Sequence, residues 1–473
     1  MPLWSGAQDV IDLQIIIQKA QANSPDAIAA ATRAENSDWT FKSYRSNLLP
    51  SVRLNGTLPN FNSSITALDQ DDGTQQFIPR TFASSLANVS VNQNIGLTGG
   101  NVFVTTGLQR IDVFGDNSGT SYLTTPVSFG INQEIFGFNE YRWLKQTEPM
   151  KLKEAKRRYH EEMEDVAIRA VNLYFNYYDA QIAIQLAKLN KANADTLYKI
   201  ARGRYQLGKI AEHELLQMEL NRLTAQKDLK QARIDLSNAR AELQNYTGLN
   251  LSKDVNIVPP TLVDTFTVSP QRALEMAKQY RSDVVQMDRQ MVEADQSMAQ
   301  ARSNVGPNIS LNASYGLSGS NEVLADAFGS PLPQQQFRAG LSVPITNWGR
   351  GRAQVKIAES NKDLTAITVN NQMLTFEQEV INQVNQFNFR KREYIIAAIS
   401  DTIGQKQYDI AYKRFLIGKI DITDLNIALQ GKDRAKRTYL GAMRNYWVDY
   451  YRLRRLTLYD FEIDAPLFID EQP

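Results

Sequence analysis

The sequence predicts a mainly α-helical protein that also carries a few membrane-length β-strands, built as two copies of one structural repeat. Three observations carry this prediction. A series of motifs occurs twice in the same order, apolar residues recur every 3.5 residues over many helical turns, and shorter stretches alternate apolar with polar residues. A 3.5-residue period that persists over many turns is typical of paired helices, and the alternating stretches are typical of strands with one apolar face.

Composition excludes several classes of function. The 473 residues include 52 Lys and Arg against 51 Asp and Glu, a net charge of +1 that gives no electrostatic basis for binding nucleic acid. Cysteine is absent and histidine occurs twice, so we expect no disulfide, no metal site and no cofactor. We find no stretch near the roughly 18 apolar residues that a spanning helix needs, whereas tilted strands of a membrane β-barrel stay possible.

The duplication is visible in two pairs of motifs. RSNLLPSVRLN at 45–55 matches RSNVGPNISLN at 302–312, and RYQLGKI at 204–210 matches RFLIGKI at 414–420. The first repeat therefore covers residues 1–260 and the second covers 261–473. Residues 261–269 follow two prolines and are predicted to be the linker between the repeats.

Each repeat is predicted to begin with helix, followed by two strands. In the first repeat the strands lie at about 50–58 and 125–135, and in the second at about 308–318 and 336–345. The first repeat has an additional segment between its strands. Its two β-rich runs flank Thr98-Gly99-Gly100-Asn101, which predicts a hairpin at 86–110 that either extends outward or adds strands to the sheet.

Long coiled-coil helices follow the strands, at about 139–247 and 351–458. A representative stripe of apolar positions is Val166, Ala170, Leu173, Tyr177, Ala180 and Ile184. A helix of about 65 residues would be roughly 100 Å long, so we expect an elongated protein. Pro149 predicts a kink or a boundary near the start of the first long helix.

The turn within each helix pair carries Arg-aromatic-x-x-Gly-Lys-Ile. A glycine that ends a helix explains Gly208 and Gly418. It does not explain why an arginine and an aromatic residue recur before each glycine, so we predict a docking surface for a partner. Asp421 and Asp424 could cap the return helix, contact that partner, or both. The candidate residues are Arg204, Tyr205, Gly208, Arg414, Phe415, Gly418, Asp421 and Asp424.

The sequence does not support an enzyme. His160 and His213 are each followed by glutamate, but neither has the second histidine four residues later that a zinc protease needs. The segment 349–352, GRGR, lacks the spacing and the lysine of a phosphate-binding loop. We expect solvated histidines on helix faces and a tight turn at 349–352.

Taken in order, these motifs resemble the TolC-like outer membrane efflux proteins of Gram-negative bacteria. The similarity runs from Ile11-Asp12-Leu13 to Tyr459. It includes SPD at 24–26, LPS at 49–51, the strand-to-helix junction PITNWGRG at 344–351, and the turn RFLIG at 414–418 with DITDL at 421–425. The resemblance implies a homotrimer in which four strands per chain close a 12-stranded barrel, or a larger one, above an α-barrel of paired helices.

The resemblance also implies a function. Such a protein is a passive exit duct in the outer membrane, extending into the periplasm. Its helix turns, here residues 204–212 and 414–424, meet a periplasmic adaptor that connects the duct to an inner-membrane pump. The closed gate lies near the same turns. The alternatives are the exit duct of a type I secretion system and a soluble coiled-coil scaffold, although a scaffold would not need duplicated membrane-length strands.

Three further points bear on this expectation. Four or six strands cannot close around a channel, and open strand edges in lipid leave backbone groups unpaired, so oligomerisation is expected on physical grounds. The first strand-to-helix junction, residues 134–139, lacks the proline and arginine of the second. Residues 1–6 have no secretory signal pattern, and we expect the signal to precede the sequence as given.

Overall fold

The structure, a computed structural model, describes residues 12–69, 73–115, 118–251, 257–258 and 266–469. The predicted boundary near residue 260, most of the predicted linker and the N-terminal residues 1–6 lie outside these ranges. The described chain forms two compact units. The helical unit takes residues up to Asn36, Lys153–Val285 and those from Gln372 onward, and the sheet unit takes Ser37–Leu152 and Gln286–Asn371.

The described residues contain nine helices. They are α1 (Leu13–Asn23), α2 (Pro25–Ser46), α3 (Glu140–Gln206), α4 (Glu212–Thr247), α5 (Pro270–Tyr280), α6 (Ser282–Ser303), α7 (Leu324–Gly329), α8 (Arg350–Leu416) and α9 (Ile422–Thr457). The order of helices before and after the strands is the same in both repeats. None of the described helices is long and apolar enough to cross a bilayer.

The helical pattern before each strand pair is two helices, not one. Ser24 ends α1 with its backbone N–H donating to the Ala20 carbonyl, and its hydroxyl accepts from the Ala27 N–H at 3.1 Å at the start of α2. Arg281 separates α5 from α6 at the matching place. The apolar period continues across both breaks, which is why the sequence alone predicts one helix.

Pro149 does not end a helix. The helix α3 runs through it from Glu140 to Gln206, so of the two expectations a boundary is wrong. A single proline removes one backbone donor and crowds one carbonyl. The rest of the helix keeps its hydrogen bonds.

The strands lie in the sheet unit and form one six-stranded antiparallel sheet. They are β1 (Ser51–Asp69), β2 (Gln75–Asn94), β3 (Asn101–Phe114), β4 (Gly119–Ile135), β5 (Asn308–Asn321) and β6 (Leu332–Ser342). Each strand pairs with the next one along the chain, in the order β1-β2-β3-β4-β5-β6. Two further two-residue strands, β7 (Tyr459–Asp460) and β8 (Ala465–Pro466), pair in the helical unit.

The predicted hairpin at 86–110 belongs to the sheet. Its two runs lie within β2 and β3, and the sheet has six strands per chain where the resemblance implied four. The predicted strand at 50–58 is only the first half of β1, because β1 stays paired with β2 to Asp69. Pairing partners of this kind are not visible to a periodicity argument.

One face of the sheet is apolar. Alternation places Val52, Phe129 and Phe337 on this face, where they are 68%, 51% and 74% exposed. The opposite face carries Asn, Ser, Thr and Gln at most positions. A sheet with exposed apolar side chains on one side and polar ones on the other suits a boundary between lipid and water.

The core of the helical unit is rich in alanine and aromatic residues. Leu13, Ile16 and Ala20 of α1 are buried, and α1 packs on α4. Tyr174 and Phe175 of α3 are fully buried and meet edge to face with ring centroids 5.4 Å apart. The small alanines let helices approach closely, while each buried aromatic side chain contributes a large apolar area.

Candidate functional site

The two helix–helix turns have the same backbone. At the first turn Gly208 N–H donates to the Tyr205 carbonyl and Lys209 N–H donates to the Arg204 carbonyl, both at 2.9 Å. The second turn repeats both bonds, from Gly418 to Phe415 at 3.0 Å and from Lys419 to Arg414 at 2.9 Å. The glycines have φ of +66° and +73°. Each turn is therefore a Schellman motif, which favours glycine because a side chain there is strained.

The return helices begin differently after the two turns. Asp421 is the N-cap of α9, and its carboxylate accepts from the Asp424 N–H at 2.9 Å. The matching residue before α4 is Ala211, which has no capping atom. The Glu214 carboxylate instead accepts from the Ala211 N–H at 3.4 Å. Only the second turn has the side-chain cap that the sequence predicted.

Arg204 joins the first turn to the second. Its guanidinium donates to the carbonyls of Phe415 and Leu416 at 3.4 and 3.3 Å, and it lies 5.4 Å from the centre of the Phe415 ring. The Phe415 carbonyl therefore accepts from both the Gly418 N–H and Arg204, and the Leu416 carbonyl lies in the last turn of α8, where backbone donors run out. The structure thus brings Arg204, Phe415 and Gly418 together.

The remaining candidate residues point away from this contact. Tyr205 is 41% exposed although Phe415, at the same position of the other repeat, is 7% exposed. Arg414, Asp421 and Asp424 are exposed as well. Exposure keeps these side chains accessible to a partner, but it does not by itself assign one.

Below the turns lies a compact apolar cluster that links all four long helices. Its buried members are Leu197, Ala201, Met218, Tyr408, Phe415, Ile422, Leu425 and Ala428. Phe415 is the candidate residue that belongs to it. The cluster fixes the two turns relative to each other, because neither turn can move without exposing these side chains.

Sequence reasoning missed a cation–aromatic pair that occurs in both repeats under the turns. Arg222 lies over the Tyr198 ring at 4.8 Å, and Lys432 lies over the Tyr408 ring at 4.4 Å. Burial raises the pKa of Tyr408, and its hydroxyl accepts from the Asn193 amide at 3.1 Å. Extending the alignment of 204–210 with 414–420 in both directions would have found these equivalent pairs.

The same alignment contains a second missed feature. Leu207 and Ile417 occupy equivalent positions just before the turn glycines, and they are 72% and 67% exposed. Lysines 209 and 419 follow each glycine. Each turn therefore has one solvent-exposed aliphatic side chain close in sequence to a positively charged lysine.

A buried ionic cluster, also missed, fixes the end of α9 and the segment after it. Arg454 pairs with Glu164 and with Asp460, each at 3.1 Å, and the Tyr450 hydroxyl donates to Asp460 at 2.9 Å. Burial raises the pKa of Glu164 to about 7, although the charge of Arg454 opposes the rise. Glu164 lies far in sequence from Arg454 and Asp460, and no motif connects them.

The acidic groups and the two histidines were compared with the arrangements that a metal ion needs. Among the described residues no three His, Cys, Asp or Glu side chains lie close enough to hold a metal ion. His160 stacks on the Phe468 ring at 4.6 Å, and His213 is exposed near the start of α4. The predicted solvated position therefore applies to His213, whereas His160 packs on an aromatic ring.

A scan against family models matches the chain to "Outer membrane efflux protein" over residues 16–249 and 273–457. The match covers both repeats and stops on either side of the predicted linker. The chain belongs to the outer membrane efflux protein family. Its fold and its resemblance to the TolC-like channels are thereby confirmed.

Individual relatives agree with this family. The solvent efflux pump outer membrane protein SrpC of Pseudomonas putida is 29% identical over 172 residues, which is 33% of this chain and 36% of SrpC, so the match spans about a third of that relative. The CmeC channel of Campylobacter jejuni has the same fold, with a TM-score of 0.67, 18% identity, and coverage of 94% of this chain and 85% of CmeC. VceC of Vibrio cholerae also has this fold, with a TM-score of 0.66 and 12% identity. The match covers 96% of this chain and 97% of VceC.

Proposed function

We propose that the protein is the exit duct of a tripartite efflux system, a passive homotrimeric channel of the outer membrane. An adaptor protein in the periplasm would dock on its helix–helix turns, and an inner-membrane pump would supply the energy. The observation that carries the proposal is the family match across both repeats. The sheet with one exposed apolar face supports the contact with outer-membrane lipid.

The turns suit a docking role because of what they expose. Leu207 and Ile417 are aliphatic side chains in water, each beside a lysine, and the cluster beneath holds both turns in place. An exposed aliphatic residue on a rigid support loses little conformational entropy when a partner covers it. We assign docking to both turns, with Tyr205, Arg414 and Asp424 at their rim, and we place the gate beside them.

Efflux is favoured over protein secretion and over a scaffold. SrpC and a second relative, TtgI, are named as outer membrane proteins of solvent and toluene efflux pumps. On that basis we propose small apolar molecules as the substrate class. A scaffold would have no use for the exposed apolar face of a six-stranded sheet. The protein would lie in the outer membrane of a Gram-negative bacterium, with its two repeats contributing equivalent helix pairs to the periplasmic part.

The first experiment is fractionation of the natural full-length product. We expect it in the outer membrane as a detergent-stable trimer, and a deletion strain should regain solvent tolerance when the gene is restored. A soluble monomer would overturn the duct and favour the scaffold.

Docking is tested by paired substitutions at the turns. Leu207→Asp with Ile417→Asp should abolish adaptor cross-linking and solvent tolerance while leaving the amount of trimer unchanged. Ile469→Asp is the matched control, because Ile469 is 87% exposed near the end of the described chain, outside the turns. If the double variant keeps cross-linking and tolerance, docking is not at the turns.

A further inference from the structure

We propose that the β2–β3 hairpin is part of the channel wall, so that three copies close eighteen strands instead of twelve. The count of three copies rests on the proposed function. The place of the hairpin in the wall rests on the sheet itself. The interacting surfaces are the free edges of β1 and β6, and the partner of each edge is another copy of this chain.

The hairpin spans the full height of the sheet. The β1–β2 pairing runs from Ser51 opposite Asn92 to Asp69 opposite Gln75, and β3 pairs with both β2 and β4 over most of its length. An extension beyond the membrane would pair only at the far end of its neighbours. At the helical end the hairpin reaches the level of the strands around it. Toward the other end β3 stays paired with β4 up to Val113 opposite Gly119, while β1 and β2 continue beyond it.

The turn between β2 and β3 is fixed at the helical end of the sheet. The Gln93 side chain donates to the Leu48 carbonyl at 2.5 Å, just after α2. Asn139, just before α3, donates to the Leu97 carbonyl at 3.0 Å, and Gln133 donates to the Thr98 carbonyl at 2.9 Å. These bonds hold the turn against the points where the chain enters and leaves the helices.

In the half of the sheet nearest the β2–β3 turn, both faces continue through the hairpin without a change of character. Farther along β3, Arg110 and Asp112 lie on the apolar face. One register row on the apolar face is Val52, Val91, Val104, Phe129 and Tyr315, and it ends at Gln335 of β6. The neighbouring row on the polar face is Arg53, Ser90, Thr105, Ser128 and Gly316. A hairpin in water on both sides has no reason to keep an apolar face in line with its neighbours.

The hairpin also fits its neighbour closely on the polar face. The Phe103 ring of β3 covers Gly130 of β4, where an added Cβ would lie 2.2 Å from the ring. An aromatic side chain over a glycine on the next strand stabilises a cross-strand pair. This contact joins the additional strand pair to a strand that both repeats possess.

An added hairpin preserves the geometry that closure needs. Because the six strands alternate in direction, β1 and β6 are antiparallel, so β6 of one copy can pair with β1 of the next in the same sense as every other pair. Barrel diameter grows roughly in proportion to strand number, so eighteen strands give a wall about 1.5 times wider than twelve. A single copy with six strands is too narrow to enclose water.

The test uses the absence of natural cysteine in the chain. Single cysteines are placed in full-length trimers at Val89→Cys and Val104→Cys on the apolar face and at Ser90→Cys and Thr105→Cys on the polar face. Phe129→Cys and Ser128→Cys on β4 serve as matched references. Each is labelled with a fluorophore, reconstituted in vesicles, and exposed to brominated lipid and to a water-soluble quencher.

We expect quenching by brominated lipid at 89 and 104 to equal that at 129, and aqueous quenching at 90 and 105 to equal that at 128. Aqueous quenching at all four hairpin positions, with alternation kept on β4, would overturn the place of the hairpin in the wall. Such a result in a trimer leaves the proposed function intact. Alternation in an assembly whose native mass is not that of a trimer overturns the count of eighteen together with the proposed trimer.

Discussion

The first and second helix–helix turns have the same backbone and different surroundings. Both close with the same two hydrogen bonds around a left-handed glycine. The second turn buries its aromatic residue, Phe415, and has an aspartate cap, whereas the first exposes Tyr205 and begins its return helix at Ala211. Duplication has preserved the shape of the turn while the side chains around it have diverged.

This difference separates two requirements on one motif. The glycine and its hydrogen bonds are what the chain needs to reverse direction, and they are identical in both turns. Burial and capping are what fixes the turn in place, and they are concentrated at the second. We therefore expect the second turn to be the anchor of this end of the helical unit and the first turn to depend on it through Arg204.

The largest effect is expected at Phe415, the buried aromatic residue of the second turn. Phe415→Ala should lower the free energy of unfolding of the helical unit by about 3 kcal/mol, because it removes a buried aromatic ring from a packed cluster. Tyr205→Ala, the same position of the first turn, should cost less than about 1 kcal/mol because Tyr205 is 41% exposed and lies outside the buried cluster. Thermal unfolding followed by circular dichroism measures both. Equal losses would contradict the difference in burial.

The two glycines should respond alike. Gly208→Ala and Gly418→Ala each place a side chain at positive φ, which costs about 1–2 kcal/mol. Neither glycine has a neighbour close enough for an added Cβ to clash with, so the backbone alone decides the cost. The unfolding midpoints of the two variants should agree within error. A clear difference between them would show that the turns do not share one backbone requirement.

Substitutions at the two N-cap positions should change stability in opposite directions. Asp421→Ala should destabilise by about 1 kcal/mol, since it removes the acceptor for the Asp424 N–H. Ala211→Asp should stabilise by a similar or smaller amount by giving α4 the cap that α9 has. Chemical denaturation of the two single variants and of the double variant measures the effects. Destabilisation by Ala211→Asp would mean that the first turn cannot adopt the capped geometry.

The arginines should differ by less. Arg204→Ala should cost about 0.5–1 kcal/mol, because Arg204 binds two carbonyls and the Phe415 ring across the turns. Arg414→Ala should leave stability unchanged, because the Arg414 side chain is exposed and makes no hydrogen bond or ion pair with the described residues. Arg204→Lys is a further control, since it keeps the charge but loses the second donor. An equal effect of the two alanine variants would show that the contact of Arg204 with the second turn does not stabilise the protein.

The remaining prediction concerns how stability depends on pH through the buried Glu164. Burial holds the folded-state pKa of Glu164 at about 7, above the ordinary value of about 4.3 in the unfolded chain. The stability that this group contributes is therefore full below about pH 4 and is lost as the pH rises toward 7.

Glu164→Gln removes this loss. The difference in melting temperature between the variant and the natural protein should increase in favour of the variant from pH 5 to pH 8. A pH-independent difference for Glu164→Gln would show that Glu164 stays ionised throughout.

Sequence patterns located most of the helices and strands because each carries its own signal. The duplicated motifs placed both turns and all eight candidate residues at or beside them, since a Schellman glycine is a local requirement. Patterns failed at the break between α1 and α2, because the helical period continues across it. They also failed over the second half of β1, because the alternation of apolar and polar residues fades there. They also missed the Glu164–Arg454–Asp460 cluster, because its members meet only after distant segments pack.

The sequence by itself determined the repeats, the type of each element and the glycine turns, all of which follow from local backbone preference and apolar period. Only the tertiary structure decided that β2 and β3 are full members of one six-stranded sheet, that Phe415 is buried while Tyr205 is exposed, and that Arg204 reaches from one turn to the other. These outcomes depend on which segments meet in space. A period of two predicts a strand, but hydrogen bonds to specific neighbours decide how many strands stand side by side.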